Sequence, residues 1–230
     1  AFEWREQLQD TVMPYIRNGL WREGPYKLKF RTVPDDMKPA VVHAGERLLK
    51  PKTGSLLIDD FEDGNLVNAL HGPWSAQMDA NKLGSRLDEQ PLKPTEAGAL
   101  GSKHALGLRG HFGHNQAPWP YTLLNTPFNP SWAPADLRAF THLRFQARGD
   151  AKALDVVLRR QVVSDYGDFH QSATLTPDWQ VYDLAFADFK QPNWAAPVPD
   201  GFADATQLIF QPGSRDDEDF WFEIDNVELH

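Results

Sequence analysis

From about residue 55 onward, short runs of alternating apolar and polar residues follow one another, and each run ends at Pro, Gly, Asp or Asn. One run, 142–148, places Leu143, Phe145 and Ala147 on one face of a strand and three polar side chains on the other. Because side chains alternate between the two faces of a β-strand, each run predicts a strand with one buried face. Regularly spaced short strands with little helix predict an all-β sandwich.

Residues 1–21 have a different pattern, since their apolar residues recur at helical spacing with charged residues between them. One amphipathic helix cannot bury its own apolar stripe. We therefore expect it to dock on the main domain, on a partner or on a catalytic domain outside this sequence. We assign residues 1–54 to an N-terminal extension and linker, and residues 55–230 to the main domain. The helix is indicated by Trp4, Leu8, Val12, Tyr15, Ile16 and Leu20.

Composition excludes several classes of function. The 230 residues suit one sizeable domain with an appendage, and the formal net charge of -9 lacks the basic footprint of a nucleic-acid binder. An anionic membrane surface would repel such a chain, and no apolar run reaches the roughly 20 residues of a membrane span. The absence of cysteine excludes disulfides and thiolate metal sites. A start at Ala1 is what a signal-processed protein or a fragment of a longer chain would show.

Several short words within the main domain are more specific. They are LLIDDFEDGN at 56–65, LTPDWQVYDLAFADFKQ at 175–191 and FWFEIDNVEL at 220–229. In these words and in their order, the chain from about residue 55 to 230 resembles the family 11 carbohydrate-binding modules and the complex I intermediate-associated protein family. The resemblance implies a galactose-binding-like β-sandwich jelly roll. It does not extend to residues 1–54.

The acidic residues in the first and last of these words are a candidate metal site. A jelly roll places its first and last strands side by side, so Glu62 and Asp225 are expected to approach each other. Two neighbouring carboxylates repel unless a cation lies between them, and oxygen ligands suit calcium. The resemblance likewise implies a structural calcium here, with Asp60 or Asp79 as further ligands. The alternative is a solvated acidic turn closed by local Asx hydrogen bonds.

A second candidate site lies on the polar faces of the middle strands. Sugar recognition needs planar donors and acceptors for hydroxyl groups, together with an aromatic platform for the apolar face of the ring. His170 stands where the resembling family 11 modules carry a ligand-contacting histidine. The alternative is a solvent-facing sheet with salt bridges, such as Arg159 with Asp168. The candidate ligand-binding residues are Arg144, Gln146, Arg159, Asp168, His170 and Gln211 on one concave sheet, with the loop aromatics Trp74, Trp119 and Tyr121.

Signals for catalysis are weak. There is no Gly-x-Ser-x-Gly elbow and no dinucleotide or phosphate loop. Asp155 and Asp168 are available as a carboxylate pair, but nothing marks either as buried. The loop histidines His104, His111 and His114 lack the acid or cysteine partners of a metal site.

The sequence therefore predicts a non-catalytic carbohydrate-binding module, with residues from Ser55 onward binding a β-glucan-like polysaccharide or oligosaccharide. It would hold an attached or partner enzyme near its substrate, in a secreted or periplasmic location, with no nucleic-acid or membrane partner. The alternative is an assembly or scaffold protein, as the second resemblance suggests, whose concave face binds a protein.

Overall fold

A computed structural model of the chain describes residues 54–79, 84–114, 120–150, 152–213 and 215–230. The predicted N-terminal helix lies outside these ranges, and the domain boundary between residues 54 and 55 stays a prediction. Within the described residues the regular structure is β-strand, apart from one 3-10 turn at Phe186–Asp188. These described residues contain no helix that is long and apolar enough to cross a membrane.

The strands form two antiparallel sheets. The first sheet has the order β3-β4-β11-β6-β9, and β1 also pairs with β11. Its strands are β1 (Leu56–Asp59), β3 (Arg86–Leu87), β4 (Leu106–His111), β6 (His142–Gly149), β9 (Gln180–Ala185) and β11 (Asp219–Leu229). The second sheet has the order β2-β5-β10-β7-β8. Its strands are β2 (Ser75–Met78), β5 (Thr122–Pro127), β7 (Ala153–Arg160), β8 (Phe169–Thr174) and β10 (Ala205–Pro212).

The hydrophobic core fills the space between the two sheets. Leu143, Phe145 and Ala147 of β6 are fully buried, as the alternation in the sequence predicts. Phe145 meets Phe210 of β10 edge to face, with ring centroids 5.2 Å apart, so the two sheets contact each other through aromatic side chains. Phe210 also packs against Trp74, at 6.3 Å. The predicted β-sandwich is therefore confirmed.

The first and last strands are neighbours, as predicted. Strand β1 pairs with β11 through Leu56 opposite Leu229 and Asp59 opposite Val227, with a β-bulge between Leu57 and Asp59. After β1 the chain turns inward at Phe61, a fully buried residue in the left-handed region at φ 55°. The Asp59 carboxylate holds this turn, since it accepts the Phe61 N–H at 2.9 Å.

Two strands that are consecutive in sequence can lie in different sheets. Strand β6 lies in the first sheet and β7 in the second. Their outward-facing side chains consequently lie on opposite surfaces of the sandwich, because each sheet turns its other face to the common core. This arrangement decides which polar residues share a surface.

Candidate functional site

A cleft of about 580 Å³ lies on the outward face of the second sheet. Its floor is formed by cross-strand rows of side chains that the strand register aligns. In the middle row Ile209 of β10 lies opposite Val157 of β7, and a polar residue stands at each end of this pair, Asn125 of β5 opposite Ile209 and His170 of β8 opposite Val157. A short apolar strip of two side chains thus lies between an amide and an imidazole.

Polar rows flank this strip on both sides. On one side Gln211 lies opposite Asp155, and Asp155 lies opposite Ser172, whose hydroxyl donates to the Asp155 carboxylate. On the other side Gln207 lies opposite Arg159. The floor therefore offers hydrogen-bonding groups at two edges and an apolar surface between them. A pyranose ring matches this pattern, because its apolar face can lie on the apolar surface while its hydroxyl groups reach the polar edges.

Arg159 and Asp168 form an ion pair in the cleft. The Arg159 Nε–H donates to Asp168 Oδ2 at 2.8 Å, and the Asp168 residue is 6% exposed. Among the described residues no hydrogen-bond donor reaches the other oxygen, Oδ1, although it too is buried. A buried carboxylate oxygen without a donor is costly. The Oδ1 atom of Asp168 is thus an unsatisfied acceptor beneath the wall of the cleft, out of reach of a water-sized group in this conformation.

Exposed aromatic side chains stand around the cleft. Tyr166 is 82% exposed, Trp194 is 67% exposed and Tyr121 is 40% exposed, and all three line it. Tyr166 has a φ of 63°, a conformation that costs a non-glycine residue on the order of 1 kcal/mol or more. Its ring lies over the Arg159 guanidinium, 5.9 Å from the centroid. Large aromatic side chains that remain exposed to water are candidates for ligand stacking, and the strained backbone of Tyr166 adds to that expectation for its ring.

The structure brings together five of the predicted ligand-binding residues. Each of them lines the cleft on the second sheet. They are Tyr121, Arg159, Asp168, His170 and Gln211.

Arg144 and Gln146 do not belong to this group, so the prediction of one shared sheet is wrong for them. Both are on β6 of the first sheet, where Arg144 lies between Asp183 and Glu228, and their side chains face away from the core on the opposite side of the sandwich. The alternation of β6 predicts which residues face outward. It carries no information about which sheet the strand joins.

Trp74 is also placed differently from the prediction. The residue is 3% exposed, and its ring packs against Phe61 with centroids 5.5 Å apart. Its indole N–H donates to Asp59 Oδ2 at 2.8 Å, which satisfies the one polar atom of the ring inside the protein. Trp74 is therefore a core residue and not a loop platform. Trp119 lies outside the described residues.

Sequence reasoning missed several residues of the cleft, above all Tyr166 and Trp194. Each is an aromatic residue inside a turn-rich segment, DYGD at 165–168 and QPNWAAP at 191–197. An aromatic side chain among turn residues has few apolar neighbours in sequence to pack against. That signal marks both positions, as it marked Tyr121 in the segment PWPY at 118–121.

The acidic pair from the first and last strands lies around the loop 98–104. Asp225 is fully buried and accepts the Ala99 N–H at 2.8 Å, while Glu62 Oε1 accepts the Ser102 hydroxyl at 2.8 Å. Burial raises the pKa of Asp225, and the Ser102 hydrogen bond lowers the pKa of Glu62. The two carboxylates are close enough for Glu62 to add to the rise in the pKa of Asp225.

A further candidate oxygen belongs to the strand next to Asp225. Gln146 lies directly opposite Asp225 across the β6–β11 pair, and its Oε1 is buried without a donor among the described residues. Asp60 instead accepts the Glu62 N–H in a local turn at 3.3 Å. No group of three His, Asp or Glu side chains suited to a metal ion occurs within the described parts of the chain. A cation here would need the two carboxylates, the Gln146 oxygen and backbone carbonyls together.

His111 makes a separate contact outside the cleft. Its Nδ1 lies 2.8 Å from an Asp219 oxygen and its Nε2 lies 3.1 Å from an Asp217 oxygen. These two carboxylates raise the pKa of His111. The imidazole therefore links the end of β4 to the acidic loop before β11.

Comparison with known proteins bears on the fold. No protein-family model and no curated protein sequence matches the chain. Among solved structures it is similar to a family 11 carbohydrate-binding module of a cellulosomal cellulase of Clostridium thermocellum, with TM-score 0.55, 14% identity, and coverage of 76% of this chain and 93% of that one. The same values of TM-score, identity and coverage of this chain hold for a family 11 module solved with a β-1,3-1,4-mixed-linked tetrasaccharide, of which 94% is covered.

A family 30 carbohydrate-binding module gives a similar result. Its TM-score is 0.54 at 15% identity, with coverage of 76% of this chain and 98% of that one. At such identities the likeness concerns the fold alone. The chain has the jelly-roll fold of these modules.

Proposed function

We propose that residues 55–230 form a non-catalytic carbohydrate-binding module, which holds a neutral, β-glucan-like polysaccharide in the cleft of the second sheet. The observation that carries this proposal is the cleft floor, an apolar strip between two polar rows, with exposed aromatic rings beside it. The fold shared with family 11 and family 30 modules supports the same class of function.

The charges of the cleft favour an uncharged ligand. The Arg159 guanidinium is balanced by Asp168, and Asp155 adds a further carboxylate on the opposite edge. An anionic sugar chain would therefore meet no unbalanced cation among the described side chains that line the cleft. Sugar hydroxyls, by contrast, can accept from the remaining guanidinium N–H groups of Arg159 and donate to the carboxylate of Asp155 and the amide oxygen of Gln211, which line the cleft.

The direction of the rows suggests how a polymer would lie. Adjacent strands are separated by about 4.8 Å, so the four steps from β2 to β8 span about 19 Å. The spacing of about 4.8 Å between adjacent strands is comparable with the length of one sugar residue in an extended β-linked chain. A polysaccharide lying across the strands would place about one residue over each step, its ring faces on Ile209 and Val157 and its hydroxyls over the polar rows.

Affinity electrophoresis and calorimetry with a panel of soluble polysaccharides test the proposal. Retardation by a neutral β-glucan, and none by a polyuronic acid, is expected. Trp194→Ala should weaken binding at least about fivefold, because an aromatic contact contributes on the order of 1 kcal/mol. Trp132→Ala is the matched control, since Trp132 is 39% exposed but does not line the cleft. Absence of binding to every polysaccharide, with copurification of a protein partner, would instead support the scaffold alternative.

The proposal also concerns the enzyme with which the module works and the cellular location of the two. A sugar-binding domain without its own catalytic site acts by holding an enzyme near its substrate. We therefore propose an attached or partner carbohydrate-active enzyme, in a secreted or periplasmic location where polysaccharides occur. Cell fractionation and identification of copurifying enzymes check this part.

We also propose a structural calcium ion near the paired first and last strands. Glu62 and Asp225 would hold it, with Gln146 Oε1 and backbone carbonyls. The unpartnered Gln146 oxygen and the buried Asp225 carboxylate support this site, because a bound cation would stabilise both. Asp60 is a further candidate ligand; one of its oxygens accepts the Glu62 N–H, just as Glu62 and Asp225 accept backbone N–H groups.

A further inference from the structure

The loops that carry Tyr166 and Trp194 are joined by two polar side chains. Asp165 stands next to Tyr166 and bonds to both loops, since Oδ1 accepts the Gly167 N–H at 2.9 Å and Oδ2 accepts the Ala196 N–H at 2.7 Å. Both carboxylate oxygens are thus occupied by backbone donors, one from each loop.

Gln191 makes the reciprocal connection from the second loop. Its Nε2 donates to the Gly167 carbonyl at 2.8 Å and to the Ala196 carbonyl at 3.3 Å. Its Oε1 accepts the Val198 N–H at 3.1 Å. Together with Asp165, this side chain satisfies backbone groups that directly follow the two exposed rings, on Gly167 after Tyr166 and on Ala196 after Trp194. We call Asp165 and Gln191 the loop latch.

Close packing between the two loops reinforces the loop latch. Gly167 is buried, and a Cβ at this position would lie 2.1 Å from the Ala195 Cβ. Only glycine allows this approach. The second loop also continues the sheet, because Lys190 pairs with His170 of β8 through backbone hydrogen bonds of 3.0 Å in both directions. The aromatic wall of the cleft is therefore built on the sheet through a network of side-chain and backbone contacts.

These contacts explain how Tyr166 keeps a strained backbone while its ring stays in water. Such conformations persist where the surroundings over-determine them, and they occur at ligand clamps. A ring that is already fixed loses less conformational freedom when a ligand binds, so its contact contributes more to the affinity. Asp165 and Gln191, which neighbour Tyr166 and Trp194, hold the backbone of the two loops in place. These hydrogen bonds have no evident use in packing the core.

We propose that Asp165 and Gln191 are positioning residues that pre-organise Tyr166 and Trp194 as one rigid stacking wall, so that affinity for the polysaccharide depends on the loop latch while stability of the sandwich does not. The inference rests on the proposed function and adds to it the residues that set the entropy of binding. The Asp165 and Gln191 side chains act through the aromatic rings and need not touch the sugar.

A steric substitution and its rescue test the loop latch. Gly167→Ala drives a methyl group into Ala195 and should part the two loops. Gly167→Ala combined with Ala195→Gly removes the 2.1 Å contact and leaves contacts of 3.0 Å to Asp165 Oδ1 and 3.1 Å to the Ala195 Cα, which shifts of a few tenths of an ångström accommodate. Gly213→Ala is the matched control, since its Cβ would meet only the Ala153 carbonyl oxygen at 3.8 Å. Asp165→Ala removes the hydrogen bonds without a collision.

Two measurements distinguish an effect on the loop latch from an effect on sugar binding. Hydrogen exchange of segments 163–168 and 190–197, measured without ligand, should become at least tenfold faster in Gly167→Ala and Asp165→Ala and return in the double variant. Calorimetry with a mixed-linked β-glucan should show about tenfold weaker binding with a less favourable entropy, again recovered in the double variant. The melting temperature should change little, because the core residues are untouched.

The outcomes are distinct. Unchanged exchange in both variants would overturn the loop latch, and faster exchange with unchanged affinity would overturn its role in positioning. If the wild type binds no polysaccharide while the variants exchange faster, the latch stands and the proposed function fails. A large fall in melting temperature would show that the latch serves the fold, contrary to the inference.

Discussion

The buried carboxylate of Asp59 leads to a quantitative prediction about stability and pH. Burial raises the pKa of Asp59 from 3.8 to about 6, and the hydrogen bonds from Phe61 and Trp74 only partly offset that rise. A shift of this size corresponds to about 3 kcal/mol, from the difference of 2.2 between 6 and 3.8 and about 1.4 kcal/mol for each pKa unit. The native protein therefore pays for holding this carboxylate ionised in its interior.

The direction of the effect follows from proton binding. Between pH 3.8 and about 6 the native state binds more protons at Asp59 than the unfolded chain does. The contribution of Asp59 to the free energy of unfolding consequently falls as the pH rises through this window, and it is constant above about 6. Asp59→Asn carries no such titration. The difference in free energy of unfolding, variant minus wild type, should increase by about 2 kcal/mol between pH 4 and 7, which is the part of the whole effect that falls in this range.

Urea or guanidinium titrations at half-unit steps of pH measure this difference. Asp59→Asn also replaces one acceptor oxygen by an amide, so Phe61 N–H or the Trp74 indole N–H loses its partner. That loss lowers the stability of the variant by a constant amount and leaves the slope unchanged. Asp178→Asn, at an exposed position, is the control for the substitution itself. A flat difference for Asp59→Asn across the window would refute the reasoning.

Three further outcomes are expected. Arg159→Ala should weaken binding of a β-glucan at least about tenfold, because it leaves Asp168 unpaired in the cleft. Arg144→Ala, on the other sheet, should leave the affinity measured by calorimetry unchanged. Equal effects of the two substitutions would contradict the location of the site. Chelation should lower the melting temperature of the wild type, since calcium at 100 times its dissociation constant adds about 2.7 kcal/mol, and Asp225→Asn should abolish that response; identical melts with and without chelator would exclude the ion. The pKa of His111 is raised by its two carboxylates, so its stabilising contribution is present below pH 6.5 and lost as the pH rises through the higher native pKa. Melting temperatures of His111→Gln should lack this alkaline loss, and a variant that retains it would show that another group titrates.

Several features of the fold could be read directly from the sequence. The alternation in β6 and β7 correctly identifies which side chains are buried, since Phe145 and Leu158 both lie in the core. The words at either end of the main domain, by their resemblance, predict that the first and last strands pair, and β1 does pair with β11. Both predictions succeed because they concern local periodicity or a short ordered pattern of landmarks.

The candidate site was predictable only in part. Arg144 and Arg159 have the same kind of strand context, yet they lie on opposite surfaces of the sandwich. Trp74 follows a Gly-Pro pair typical of an exposed loop, but Asp59 supplies a partner for its indole N–H inside the protein. Tyr166 and Trp194 line one cleft from two loops that are about 30 residues apart in sequence and are joined by hydrogen bonds.

The sequence by itself determined the strands, the side of each strand that is buried and the overall β-sandwich. Only the tertiary structure decided which strands share a sheet, and therefore which outward-facing side chains meet in one cleft. The physical reason is that alternation with a period of two arises within a single strand from the geometry of its own backbone. Sheet membership, by contrast, depends on pairing between strands that are distant along the chain, as with β5, β10 and β7, and no local pattern specifies it.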